Sequence, residues 1–149
     1  MLVTDLSIIT LMYSCTKMGV QMNNKEIKKK RDSLKAQQAV SLLEQEIAKI
    51  RYVKDWALFV GCSKTTLNHL VKAEFNVSAK SKMKTIRFKK IKKMIREHPD
   101  FGCTAVAIES GLKNERELYK FLTRNFEINY TKLRFNLLWK KGTDSEMGR

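Results

Sequence analysis

With 149 residues and 17.4 kDa, the chain is long enough for one domain, or for two very small subdomains sharing a connecting element, and too short for a multidomain enzyme. Its 43% hydrophobic residues exclude wholesale disorder, and six glycines with one proline are too few for the turns of an all-β sandwich or barrel, so the abundance of Lys, Glu, Leu, Ile and Met predicts an all-α fold. Thirty Lys and Arg against fifteen Asp and Glu give a net charge of +15, which suits a phosphate-bearing partner, either nucleic acid or an anionic membrane surface.

Residues 1–22 form an apolar N-terminal segment containing Leu2, Val3, Leu6, Ile8, Ile9, Leu11, Met12, Tyr13 and Met18. Asp5 lies near its start and no lysine precedes Lys17, which argues against a signal peptide. Tyr13 and Ser14 ahead of Cys15 make a poor lipoprotein site. Thr4, Asp5, Ser7, Thr10 and Ser14 break the run, short of the roughly 18–20 apolar residues that a membrane span needs. The segment fits either a short helix or strand packed on the domain, or a truncated membrane segment followed by Lys25, Lys28, Lys29, Lys30 and Arg31 on the cytoplasmic side.

Residues 23–38 are polar and lysine-rich and read as a basic linker or a solvated first helical turn. A first subdomain is expected over 39–78. Val40, Leu43, Ile47 and Ile50 recur at helical spacing and predict an amphipathic helix over 39–50. Val53, Trp56, Ala57 and Val60 continue that period in a second, short helix, which must stop at Gly61, the residue best able to take a left-handed conformation there. Ser63 then offers a hydroxyl cap to a third helix with Leu67, Leu70, Val71 and Phe75 on its apolar face. Helix, glycine turn and capped helix together have the sequence form of a helix-turn-helix.

The same corner recurs further on. Ala57 to Gly61 is answered by Ala107 to Gly111, Leu67, Leu70 and Val71 by Leu118, Phe121 and Leu122, and Phe75 to Ala79 by Phe126 to Tyr130. Asn114 can cap the second copy's helix, and Glu117, three residues on, completes a capping-box pair. A second helix-turn-helix subdomain is therefore expected over 99–138, followed by a polar C-terminal tail over 139–149. Residues 79–98 join the copies as a linker helix, with Ser81 to His98 helical and Pro99 as the stop. Met83, Ile86, Ile91, Met94 and Ile95 mark its apolar side, and Lys82, Lys84, Arg87, Lys89, Lys90, Lys92, Lys93 and Arg96 are expected around the rest. Nine cations and one anion fall between residues 79 and 99, over half of the chain's excess charge. A helix of this length spans roughly 25 Å and can set two corners at a fixed separation.

On these residues, the stretch from Val53 to Arg134 resembles the DNA-binding domain of the AraC/XylS family of bacterial transcription regulators. Ala57, Gly61, Ser63, Leu67, Lys72, Glu74, Val77, Ser78 and the Ile86-Arg87 pair fall in that family's register without a gap. Val106, Ala107, Gly111, Leu118, Leu122, Phe126 and Arg134 follow after one inserted residue near His98 and Pro99. The chain departs from the family at Asn76 and Glu127, where glycine is usual, at Ala79 and Tyr130, where proline is usual, and at Leu112 and Leu133, where phenylalanine and tyrosine are usual.

The resemblance implies two recognition helices, 63–74 and 114–126, entering successive major grooves. Thr65, Asn68 and His69 would face bases from the first, with Lys64 and Lys72 near phosphates. Glu115, Arg116 and Lys120 would face bases from the second, with Lys113 and Arg124 near the backbone. Asn68 suits adenine, Thr65 a thymine methyl, Arg116 guanine and Glu115 a cytosine amino group. Glu115 and Glu117 oppose phosphate attraction, so the second corner is expected either to bind DNA weakly or to buttress the first. The implied partners are double-stranded DNA and RNA polymerase, in the cytoplasm at the nucleoid.

Catalytic chemistry finds little support. Gly61-Cys-Ser-Lys-Thr lacks the earlier glycine of a phosphate loop, and His69 has no serine or cysteine partner with an orienting carboxylate. Cys15, Cys62 and Cys103 are odd in number and widely spaced, which fits neither a disulfide framework nor a metal knuckle with His69 or His98. Trp56, Phe75, Phe121 and Phe126 fall at core spacings and do not make a single-strand stacking platform. No cofactor or metal is expected, and no small-molecule ligand either, the latter because only about forty residues precede the first predicted helix, too few for a sensing barrel. The rival to a DNA-binding regulator is a basic membrane-anchored or membrane-surface module, or the output domain of a truncated membrane sensor tethered to the inner membrane through residues 1–22.

Overall fold

Ala36, Ala39, Val40, Leu43 and Ile47 are spaced three, one, three and four residues apart, so a helix through them buries one continuous stripe. That helix, α1, spans Asn24–Glu46 in the structure, a computed structural model that describes residues 23–139. The segment 23–38, expected as a basic linker, is the first half of α1. It contains no proline or glycine and is rich in good helix formers, so helix propagates backwards from the packed half at little cost. At the other end α1 stops before the predicted Ile50. Ile47 and Ile50 stay buried, but in a turn closed by the Ile50 amide on the Glu46 carbonyl at 3.2 Å.

Val53–Val60 forms α2, and Gly61 ends it with φ of 78°, the left-handed cap expected from the sequence. Lys64–Phe75 forms α3, whose first turn is closed by the Thr66 amide donating to the Ser63 hydroxyl at 3.0 Å. Ala79–Glu97 forms α4, two residues longer at its start than predicted because Ser78 caps it through the Ser81 amide. Cys103–Glu109 is α5 and Glu115–Phe126 is α6, capped by Asn114, whose side-chain oxygen accepts from the Glu117 amide at 3.0 Å. Tyr130–Trp139 is a further helix, α7. All regular secondary structure among the described residues is thus helical.

Two cores form. The first gathers Val40, Leu43, Trp56, Leu67 and Val71 with Met83 and Ile86 from the first half of α4. The second gathers Val106, Leu118, Leu122, Tyr130 and Leu133 with Ile91, Met94 and Ile95 from its second half. One helix of 19 residues, roughly 28 Å long, therefore walls both cores. Residues 1–22, read above as a packed or membrane segment, and most of the C-terminal tail lie outside the described residues. No helix among the described residues is long and apolar enough to cross a membrane.

Candidate nucleic-acid interface

The capped starts of α3 and α6 fix how each helix presents its polar face. On α3, burial of Leu67 and Val71 turns Lys64, Thr65, Asn68, His69 and Lys72 to solvent. On α6, burial of Leu118 and Leu122 does the same for Glu115, Arg116, Lys120 and Arg124, and Lys113 is exposed just before the helix. Both helices end in left-handed residues that are not glycine, Asn76 at φ of 57° and Glu127 at φ of 53°. Both sit at the C-cap, and their amides donate to Lys72 and Thr123 carbonyls at 3.0 and 3.2 Å.

Two polar residues have structural duties. The Asn68 side-chain oxygen accepts from the Ala79 amide at 3.0 Å, fastening the start of α4 to α3. A bidentate adenine contact needs both ends of an Asn amide, so Asn68 is partly committed before any base approaches. Glu117 is committed as well: its carboxylate accepts from the Lys113 amide at 2.8 Å, one residue earlier than a capping box would use. That bond turns an acidic side chain of the second corner inward to the turn.

Arg87 holds the two corners together. Expected on the solvated side of the linker helix, it is 7% exposed. Its Nε donates to the Ser110 carbonyl at 2.9 Å, and one Nη donates to the Ile50 and Arg51 carbonyls at 3.0 and 3.1 Å. Burial pulls its pKa below the usual arginine value, with Glu117 and Tyr52 acting in the opposite sense. A guanidinium nonetheless stays charged in a protein. The sequence signal was present: position 87 is four residues from both Met83 and Ile91 and so lies on the buried stripe. Beside it the backbones nearly touch. A Cβ on Gly111, which has φ of 77°, would lie 2.1 Å from the Ile47 carbonyl oxygen.

The lysines of α4 are less available than their number implies. Lys89 faces Glu44 of α1 at 3.7 Å, Lys93 faces Glu97 at 3.8 Å, and Lys82 lies over the Phe75 ring at 3.9 Å. Burial raises the pKa of Cys62, and raises that of Cys103 to about 11 with help from Glu115, so both thiols are poor nucleophiles at neutral pH. His98 stacks on Phe101 at 4.5 Å between ring centroids. Among the described residues, no three His, Cys, Asp or Glu side chains are grouped to hold a metal ion.

A solved structure of similar shape is a transcriptional regulator described as an AraC-type DNA-binding domain-containing protein, from Chromobacterium violaceum. It aligns over 70% of this chain and 93% of its own, with a TM-score of 0.59 and 19% sequence identity. The likeness is one of fold. No family model matches the chain, and no curated protein sequence does. The two corners on one helix are thus a known architecture carried by a sequence far from that neighbour.

Proposed function

We propose that this protein is a sequence-specific regulator of transcription that binds double-stranded DNA, with α3 and α6 reading successive major grooves. The observation that carries the reading is the pair of capped helices, each with an exposed polar face, joined through Arg87 and α4. The net charge of +15 and the AraC-type fold of the structural neighbour support it. In this reading Thr65, His69, Arg116 and Lys120 face bases, with Asn68 and Glu115 as secondary readers, while Lys64, Lys72, Lys113 and Arg124 meet phosphates. RNA polymerase is the natural further partner and the cytoplasm the natural compartment.

Recovery of bound duplexes from a random pool, in excess competitor DNA, tests the reading. The expected product is an asymmetric motif in two parts about one helical turn, roughly 34 Å, apart, protected by one chain. A palindromic motif bound by two chains would mean that only one corner of each chain reads DNA. Binding to anionic vesicles with no duplex preference would replace the reading with a membrane-surface role.

A further inference from the structure

A cleft of about 360 Å³ opens between the two corners. Arg51 and Tyr52 bring the first corner to its lining, and Lys113, Lys120 and Arg124 bring the second, with Arg87 between them. Five cationic side chains thus share a lining whose one carboxylate, Glu117, already accepts the Lys113 amide. None of the ion pairs among the described residues involves any of the five. Positive charges gathered in this way repel one another, and an anion relieves that repulsion most where the walls hold low dielectric. Arg87 has such surroundings, since it is buried and its hydrogen-bond partners are three neutral carbonyls; Glu117, the charge acting on it, offsets one of the five cations. Arg87 also pins the backbone of Arg51 at the cleft, because the Arg51 carbonyl is one of those three.

We propose that this cleft is a phosphate seat shared by the two corners. The proposal rests on the DNA-binding reading, and it adds Arg51 and Tyr52 to the residues that meet phosphate, with Arg87 behind them as a buried charge. The chemistry recognised is a phosphate oxyanion. Its source is a phosphodiester of the strand that runs between the two reading helices, because Lys120 and Arg124 belong at once to the cleft and to the face of α6. A phosphate held from both sides carries no sequence information, and it fixes the register of both corners on one strand.

The test measures affinity against salt for a selected duplex and a random one, with wild type, Arg51→Gln, Arg124→Gln and, as a cation outside the cleft, Lys132→Gln. Each lost phosphate contact lowers the slope of log affinity against log salt by about 0.9. Arg51→Gln and Arg124→Gln are expected to do so on both duplexes without altering base preference, and Lys132→Gln to leave the slope as it was. Melting curves of each variant check that it folds. A parallel arm titrates pyrophosphate into the protein without DNA, at constant ionic strength. Saturable binding that Arg51→Gln abolishes, with the duplex slope unchanged, overturns the diester source in favour of a free phosphorylated ligand. No effect of Arg51→Gln or Arg124→Gln in either arm overturns the seat. Failure of the wild type to bind any duplex instead removes the DNA-binding reading itself.

Discussion

The two corners share a plan and differ in what closes them. In the first, α1 packs on both helices of the corner: Gln37 donates to Glu74 of α3 at 2.8 Å, and the indole N–H of Trp56 in α2 donates to the Ala39 carbonyl at 2.8 Å. In the second, the second half of α4 packs on α5 as α1 packs on α2, α7 packs on α4, and aromatic contacts add to the packing, with Phe88 stacked on Phe126 at 3.8 Å and Phe121 edge-on to Phe126. The repeat therefore runs past the helix-turn-helix, through the left-handed Asn76 and Glu127, to the cap of the next helix, where Ser78 accepts from the Ser81 amide and Asn129 from the Lys132 amide. The exposed polar faces differ as well, since α3 has no acidic residue in its first turn while α6 has Glu115 and Glu117 there.

The glycine turns give the sharpest way to break the symmetry between corners. Gly61→Ala adds a side chain where nothing lies within 4 Å and suffers only left-handed strain, about 1–2 kcal/mol. Gly111→Ala adds to that strain a collision with the Ile47 carbonyl, a backbone group that cannot rotate away, for a total of about 2–5 kcal/mol. Urea denaturation of both variants measures the difference, and equal losses would mean that the corners are not in contact at Gly111. Arg87→Met probes the same junction from the other side. It leaves three carbonyls without their charged donor and is expected to cost about 3 kcal/mol.

On the DNA side, Arg116→Ala is expected to cost about 1–3 kcal/mol on the best site and to relax preference at one base pair, whereas Lys72→Ala weakens all sequences alike. Equal losses on selected and random duplexes for both variants would show that α6 does not read bases. The smallest effect concerns the left-handed ends. Glu127→Gly is expected to stabilise the fold by about 0.5–1 kcal/mol, the strain relieved less the entropy lost, and Asn76→Gly to change it by less, because Asn tolerates that conformation. Thermal melts of the pair settle the order.

Where a local rule decides the conformation, the sequence was informative. The Gly61 stop, the Ser63 and Asn114 caps and the apolar spacings of Leu67, Val71, Leu118 and Leu122 all reappear in the structure. Elsewhere distant parts of the chain decide. The lysine-rich half of α1 carries no strong apolar period, so nothing local separates it from a solvated linker until its packed half is in place. Tyr130–Trp139 likewise lacks a clean stripe, yet it buries Tyr130 and Leu133 because the second core lacks a cover. The duties of Arg87 and Asn68 depend on carbonyl and amide partners 23, 37 and 11 residues away, which no single helix pattern contains.

The division of α4 between two cores bears on how such a protein can be dismantled or rebuilt. Cutting the chain near residue 88 would hand each fragment half a wall: Met83 and Ile86 would stay with one, Ile91, Met94 and Ile95 with the other, and each short remnant would have to stay helical without its neighbour. Neither corner is therefore an independent cassette. Recombination that exchanges one corner for another would keep both halves folded only where the crossover preserves the entire shared helix, together with Arg87 and the carbonyls that receive it.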